Sequence, residues 1–249
     1  LGNGHRLLER LWRTAPRMAG RFSETDLQGL PPAAVRYLRA AIAPGAPLAG
    51  AVRLTMHGEI RLRGWCRFRA EQVIRADGAM IWAARVRMGG LPVAGSDRLI
   101  DGRGALDWRI LGLIPVMRRS DPDITRSSIG RALGERVWLP SALLPPGAQW
   151  HDGDGERATA TLGAWGETVN LTVDVDEAGA PTALSFPRWG DPDGRGFRYE
   201  RFGGRIEALA RFGQYRIPAK LSVGWLHGGD GMEAEGEFFR CVIDTADFR

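Results

Sequence analysis

The chain has 249 residues, 44% hydrophobic and 25% charged, a balance that excludes disordered and fibrous classes and fits one large β-rich domain. No apolar run reaches the ~18 residues of a bilayer-spanning helix; the longest, Leu111 to Val116 and Leu139 to Leu144, are broken by Gly112, Pro115 and Pro140. Of the net charge of +5, residues 1–22 supply +4 (Arg6, Arg10, Arg13, Arg17 and Arg21 against Glu9), and a body left at +1 argues against a nucleic-acid partner.

Residues 5–20 read as a helix with Leu7, Leu8, Leu11 and Trp12 on one side and the arginines elsewhere. Such a basic amphipathic stretch fits a membrane surface, a helix packed on the body, or a frayed end. We therefore separate residues 1–22, as a basic amphipathic segment, from residues 23–249, read as one antiparallel domain. No charged–apolar–small succession of a signal peptide is visible in these residues, which favours a cytoplasmic or membrane-associated location. The next helix opens at Pro31-Pro32, where a missing N–H costs nothing, and stops at Pro44-Gly45. Its stripe is Val35, Leu38 and Ile42, widened by Ala34 and Ala41.

From Val52 the period becomes two. Val52, Leu54, Met56, Ile60 and Leu62 share one face, and Gly58 is the expected place for that long run to bend or break. Alternation resumes through Cys66, Phe68 and Ala70, then Trp82, Ala84, Val86 and Met88, then Leu106, Trp108 and Ile110. It returns later at Ala158 to Leu162, Val169 to Val175, Leu221 to Trp225 and Met232 to Ile243. Turns such as Asp77-Gly78, Asp101-Gly102 and Asp191-Pro192-Asp193-Gly194 suit hairpins. The expected fold is mainly β (α+β): an antiparallel meander of about ten strands.

One helical segment interrupts it. Asp121 can cap, Pro122 takes the first helical position, and the helix is expected to run to Val137 or Trp138, since Pro140 disfavours helical geometry at Leu139. Ser141 to Leu144 can form a further turn, and the cluster Trp138, Leu139, Leu143 and Leu144 needs a surface to cover.

Chemistry-bearing motifs are sparse. His5, His57, His151 and His227 never meet at metal-ligand spacing, and Asp152 to Glu156 lacks the terminal glutamate of a calcium loop, so neither metal nor cofactor is expected. Cys66 and Cys241 read as buried small hydrophobes. Arg61, Arg63, Arg67 and Arg69 line one strand face and Glu233, Glu235 and Glu237 another, the pattern of cross-strand ion pairs. Arg131 and Glu135 lie four apart on the helix beside Trp138; facing the sheet, they form a partly buried network with Arg85 or Asp97.

The run Arg131-x-Leu133-x-Glu135-x-x-Trp138-Leu139-Pro140-x-x-Leu143-Leu144 resembles the signature of an uncharacterised bacterial family, a domain of unknown function. So do Trp82-x-Ala84-Arg85, Tyr215-Arg216-Ile217-Pro218 before Gly224-Trp225, and Phe238-Phe239-Arg240, the likeness covering about residues 30–248. The family's fold is similar to the lipoprotein-localisation factors LolA and LolB. That implies a strongly curved half-barrel, closed by helices on its concave side, with an apolar cavity for acyl chains.

The leading expectation is a non-enzymatic protein binding an apolar or amphipathic, lipid-like ligand. Trp82, Trp108, Trp138 and Trp225 would line the cavity, with Arg131 and Glu135 at its mouth. Two alternatives stand beside it: an enzyme built on Arg85, Asp97, Arg131 and Glu135, and a peripheral membrane protein held by residues 1–22.

Overall fold

The alternating segments become thirteen antiparallel strands in a computed structural model that describes residues 2–225 and 236–249. The first meander comprises β1 (Ala51–Arg61), β2 (Trp65–Arg75), β3 (Met80–Met88), β4 (Leu91–Ile100), β5 (Arg103–Ile110) and β6 (Ile114–Arg119). The second comprises β7 (Gln149–Asp152), β8 (Arg157–Ala164), β9 (Glu167–Val175), β10 (Pro181–Gly190), β11 (Arg198–Phe212), β12 (Tyr215–Trp225) and β13 (Glu237–Phe248). They join into one sheet through β1 and β13, giving the order β6-β5-β4-β3-β2-β1-β13-β12-β11-β10-β9-β8-β7. The chain's two arms thus meet in the middle of the sheet, and its helical midpoint links the two outer edges.

The count exceeds the expected ten because several strands hide their alternation. Pro92 and Gly95 interrupt β4, Pro115 sits in the edge strand β6, Pro181 and Pro187 lie in β10, and Gly203-Gly204 splits β11. Gly58 does not break β1, which runs unbroken through it. A Cβ there would stand 1.9 Å from the Arg240 carbonyl oxygen, so the glycine admits close approach of β13. The ladder irregularity falls instead between Thr55 and Met56.

Helix α1 (Gly2–Arg13) ends well before the expected residue 20. Leu8 and Leu11 are buried against Val73, Ala79 and Ile81 on the outer face of β2 and β3, and Glu9 pairs with Arg53 at 2.8 Å. Its apolar stripe is therefore spent on the sheet and is not left for a membrane. Helix α2 (Pro32–Ala41) buries Ala33, Ala34, Tyr37, Leu38 and Ala41 against the β7–β9 and β12 region of the opposite face. Helix α3 (Pro122–Gly134) starts at the Asp121 cap, whose carboxylate accepts the Ile124 N–H at 3.0 Å. Two 3₁₀ turns follow, Glu135–Trp138 and Pro140–Leu143, separated by Leu139 at φ −129°, ψ 69°, the non-helical geometry that Pro140 imposes.

Helix α3 packs on β4 and β5 and also on β8, β9 and β10. Strands β5 and β10 are eight places apart in the sheet, ~38 Å if it were flat, whereas thirteen helical residues span only ~20 Å. The sheet must therefore curl around α3. One core lies on the concave side, built on Leu54, Met56, Ile74, Met80, Leu99 and Leu133.

Candidate functional site

Helix α3 crosses the concave face above Gln72 of β2, Asp97 of β4 and Gly104 of β5. The last turn of the helix sits tight on the other wing. A Cβ at Gly134 would lie 2.4 Å from the Phe186 ring of β10, so only glycine permits this approach. The result is that Arg131 and Glu135, one helical turn apart, both point at β2 and β4.

A continuous polar chain forms there. The Trp108 indole N–H donates to Asp97 Oδ1 at 2.7 Å, and Arg131 Nη1 donates to Asp97 Oδ2 at 2.8 Å. Arg131 Nε donates to Glu135 Oε1 at 2.7 Å, while Gln72 Nε2 donates to Glu135 Oε2 at 2.5 Å. The guanidinium lies 5.2 Å over the Trp82 ring. Side chains of Arg131, Asp97 and Glu135 keep 17%, 19% and 18% exposure, so the network is reached by solvent without being immersed in it. Burial opposes the Arg131 charge, but the Coulombic pull of Glu135 and Asp97 and their hydrogen bonds outweigh it and hold its pKa above the ordinary value. One cation between two hydrogen-bonded carboxylates fastens the helix to the sheet.

Arg188 of β10 is the contrasting case. It lies 4.6 Å over the Phe202 ring and 5.3 Å from that of Trp225. Its Nη2 makes only a 3.5 Å contact with Ser127 Oγ, and its buried Nε has no hydrogen-bond partner. No carboxylate pairs with it among the described residues. Its pKa is pushed down to about 10, first by burial and then by the nearby Arg131 charge. The Trp82 indole N–H is likewise buried and unpartnered. Around these donors stands an aromatic wall: Phe68 stacks on Phe239 at 4.9 Å, and Trp82 lies 5.6 Å from both Phe68 and Trp108.

The expected site residues divide accordingly. Trp82, Asp97, Trp108, Arg131 and Glu135 come together, and Trp225 joins them through Arg188. Trp138 differs from Trp82 in being satisfied: both are buried, but the Trp138 indole N–H donates to the Pro218 carbonyl at 3.0 Å, which ties it into the core. Arg85 is on the opposite face, because odd positions of β3 alternate away from Trp82. There it helps line an outer cleft of about 1050 Å³ under α1, with Arg69, Arg98 and Arg109. The four-residue cluster on which the enzyme alternative rests is thus not assembled. Gln72 and Arg188 were not anticipated, although each shares the parity of the inward residues on its own strand.

Other residues singled out by the sequence lie elsewhere. Arg67 and Arg69 are on β2, which pairs with β1 and β3, whereas Arg61 ends β1, the neighbour of β13; Glu237 pairs with Arg240 on its own strand, and His227, Glu233 and Glu235 lie outside the described residues. His57 meets Asp244 at 2.8 Å on the outer face. Cys66 and Cys241 are both free; Cys241 is buried as expected, which pushes its thiol up, whereas Cys66 is only half-buried. The acidic stretch after Asp152 is the β7–β8 connection. No cluster of metal-ligating side chains occurs among the described residues.

Residues 20–235 match the model of a family of unknown function, DUF6544. The chain belongs to that family. No curated protein matches the sequence. Several solved structures are similar, among them three that are each 9% identical. A LolA superfamily protein from Nitrosomonas europaea covers 93% of this chain and 94% of its own, with a TM-score of 0.42. A putative outer membrane lipoprotein-sorting protein domain from Vibrio parahaemolyticus covers 80% and 86%, with a TM-score of 0.41. A DUF1329 family protein from Desulfovibrio piger covers 87% and 90%, with a TM-score of 0.45. Similarity at this level leaves the functional reading to the site itself.

Proposed function

We propose that the curled sheet works as a half-barrel that binds an amphipathic, lipid-like ligand on its concave side. The observation that carries this reading is the pair of buried, unpartnered donors, Arg188 Nε and Trp82 Nε1, set in an aromatic wall. A buried donor without an acceptor costs ~1–3 kcal/mol, and an unpaired buried cation costs more. An acceptor-bearing head group placed between them would remove both costs. Its apolar part would lie against Ile60, Met88, Ile110, Phe239 and Trp225, which are only partly buried. The Arg131 network has no unused carboxylate to offer; its role is to hold α3 in place.

Native mass spectrometry of gently purified protein, followed by displacement of a fluorescent fatty acid, tests the reading. Co-purifying lipid, or saturable probe binding weakened by Arg188→Met and Trp82→Phe, is expected. Protein free of lipid and silent toward the probe would sink the proposal.

A further inference from the structure

The turns after β1, β3 and β5 all fall at the same end of the sheet, since successive hairpins of a meander alternate ends. The three tips stand two strand spacings apart, ~10 Å each. Large apolar side chains are exposed on every one. Leu62 and Trp65 flank the first, Leu91 follows the second, and Leu111, Leu113 and Ile114 form the third, with Leu113 at 76% exposure. Val116 and Met117 of the edge strand β6 extend the patch. Outside it, the exposed large hydrophobics are only Trp165 and Tyr199 among the described residues. A contiguous group of this kind marks an interaction surface.

Charge says what the surface meets. The tip segments 61–67, 87–93 and 111–117 contain Arg61, Arg63, Arg67 and Arg87 and not one acidic residue. They hold +4, where the body outside residues 1–22 averages to +1, so that average conceals a basic rim. Apolar side chains at the tips, with arginines within a few residues of the first two, match the layering of a bilayer: hydrocarbon beyond an anionic head-group plane. A nucleic acid would meet the arginines but leave Leu113 and Ile114 without an apolar partner.

We infer that this hairpin rim docks on the surface of an anionic lipid bilayer. The partly buried side chains Ile60, Met88 and Ile110 lie on the strands that end in the rim, so the concave face opens toward the same surface. This inference builds on the proposed ligand reading and gives the half-barrel a route by which an acyl chain passes between bilayer and concave face.

Vesicle flotation decides it, with the full chain and liposomes of pure phosphatidylcholine or of 3:1 phosphatidylcholine to phosphatidylglycerol. Binding is expected only to the anionic vesicles and weakens with salt. Replacing Arg63, Arg67 and Arg87 with Gln should lower partitioning about a hundredfold, since each surface arginine contributes about fivefold. Leu113→Asp with Ile114→Asp should abolish it, whereas Trp165→Asp, away from the rim, should not. The rim variants should keep the soluble fatty-acid probe affinity of the parent, which separates this inference from the ligand reading. Failure to float with anionic vesicles, equal flotation of the rim variants, or binding to an oligonucleotide in place of vesicles would overturn it.

Discussion

Arg188→Met should make the protein more stable while weakening its ligand binding. The guanidinium is a cation between two rings, with no carboxylate partner among the described residues and an unsatisfied Nε. Its pKa falls from the ordinary guanidinium value to about 10; at ~1.4 kcal/mol per unit, charging it in the fold costs about 3 kcal/mol before offsets. The side chain keeps some contact with water, and each aromatic face returns ~0.5–1 kcal/mol. A net gain of about 1–2 kcal/mol on substitution by an apolar side chain of similar reach is therefore expected, in line with other buried charges replaced by hydrophobes. The sign of the pH dependence follows from the same shift. A cation with a depressed folded pKa destabilises fully below about pH 10, and the penalty is relieved only as pH rises through that value toward the ordinary guanidinium pKa. The advantage of the variant should consequently be flat from about pH 5 to 8. Urea unfolding followed by tryptophan fluorescence reads both quantities, with the slope unchanged and the midpoint raised. If the variant instead loses more than ~1 kcal/mol, Arg188 is already satisfied in the fold and the reasoning from its orphaned donor fails.

Arg131→Met should act in the opposite direction, since it strands Asp97 and Glu135; a loss of ~2–4 kcal/mol is expected from the same unfolding assay, partly recovered by adding Asp97→Asn and Glu135→Gln. Gly134→Ala should cost ~1–3 kcal/mol by forcing Phe186 away from α3, and Phe186→Leu should restore some of it, as measured by thermal unfolding. Asp121→Ala should cost ~1 kcal/mol through loss of the α3 cap. The Ile124 N–H, followed by Arg119, keeps the Asp121 carboxyl below its ordinary value. The cap's contribution is thus present above the unfolded pKa of ~3.9, is lost as pH falls through the folded value, and should vanish from acid titrations of the alanine variant.

Much of this architecture was written in period-two alternation, because a half-buried antiparallel strand shows its faces directly. It failed where the local pattern was diluted. Strand β11 carries adjacent glycines and ladder irregularities near Ile206 and Ala208, and β10 opens with a proline and contains another. Missing β10 meant missing Arg188, although Leu184 and Phe186 set its inward parity. Arg85 was misplaced for a different reason: an attractive charge pattern outweighed the parity that sends it away from Trp82. Trp138 was correctly put under the sheet's curl, but no sequence pattern distinguishes an indole facing an opening from one spent on a carbonyl such as that of Pro218. The basic rim escaped notice because net charge was averaged over the chain, whereas the tips are adjacent only after the meander folds.

The two wings of the sheet hold α3 by unequal means, and this bears on how a ligand would enter. Toward β2, β4 and β5 the ties are the partly buried Arg131 network and the Gly104 N–H donated to Thr125 Oγ1 at 3.1 Å. Toward β9 and β10 they are Arg126 to Glu167, the first 43% exposed, and the Trp189 indole N–H to Asp123 at 2.9 Å, together with the glycine contact at Phe186. Exposed ion pairs contribute little, ~0–1 kcal/mol, while breaking a buried hydrogen-bonded pair costs several times that. The helix accordingly belongs to the first wing, and separation should begin on the second. Arg188 and Phe202 sit on that second wing, where Arg188 packs against α3 at Gly130 and Ser127. The cation without a carboxylate partner among the described residues is therefore on the more weakly tied side of the helix, and a ligand that satisfies it would tighten that wing onto α3.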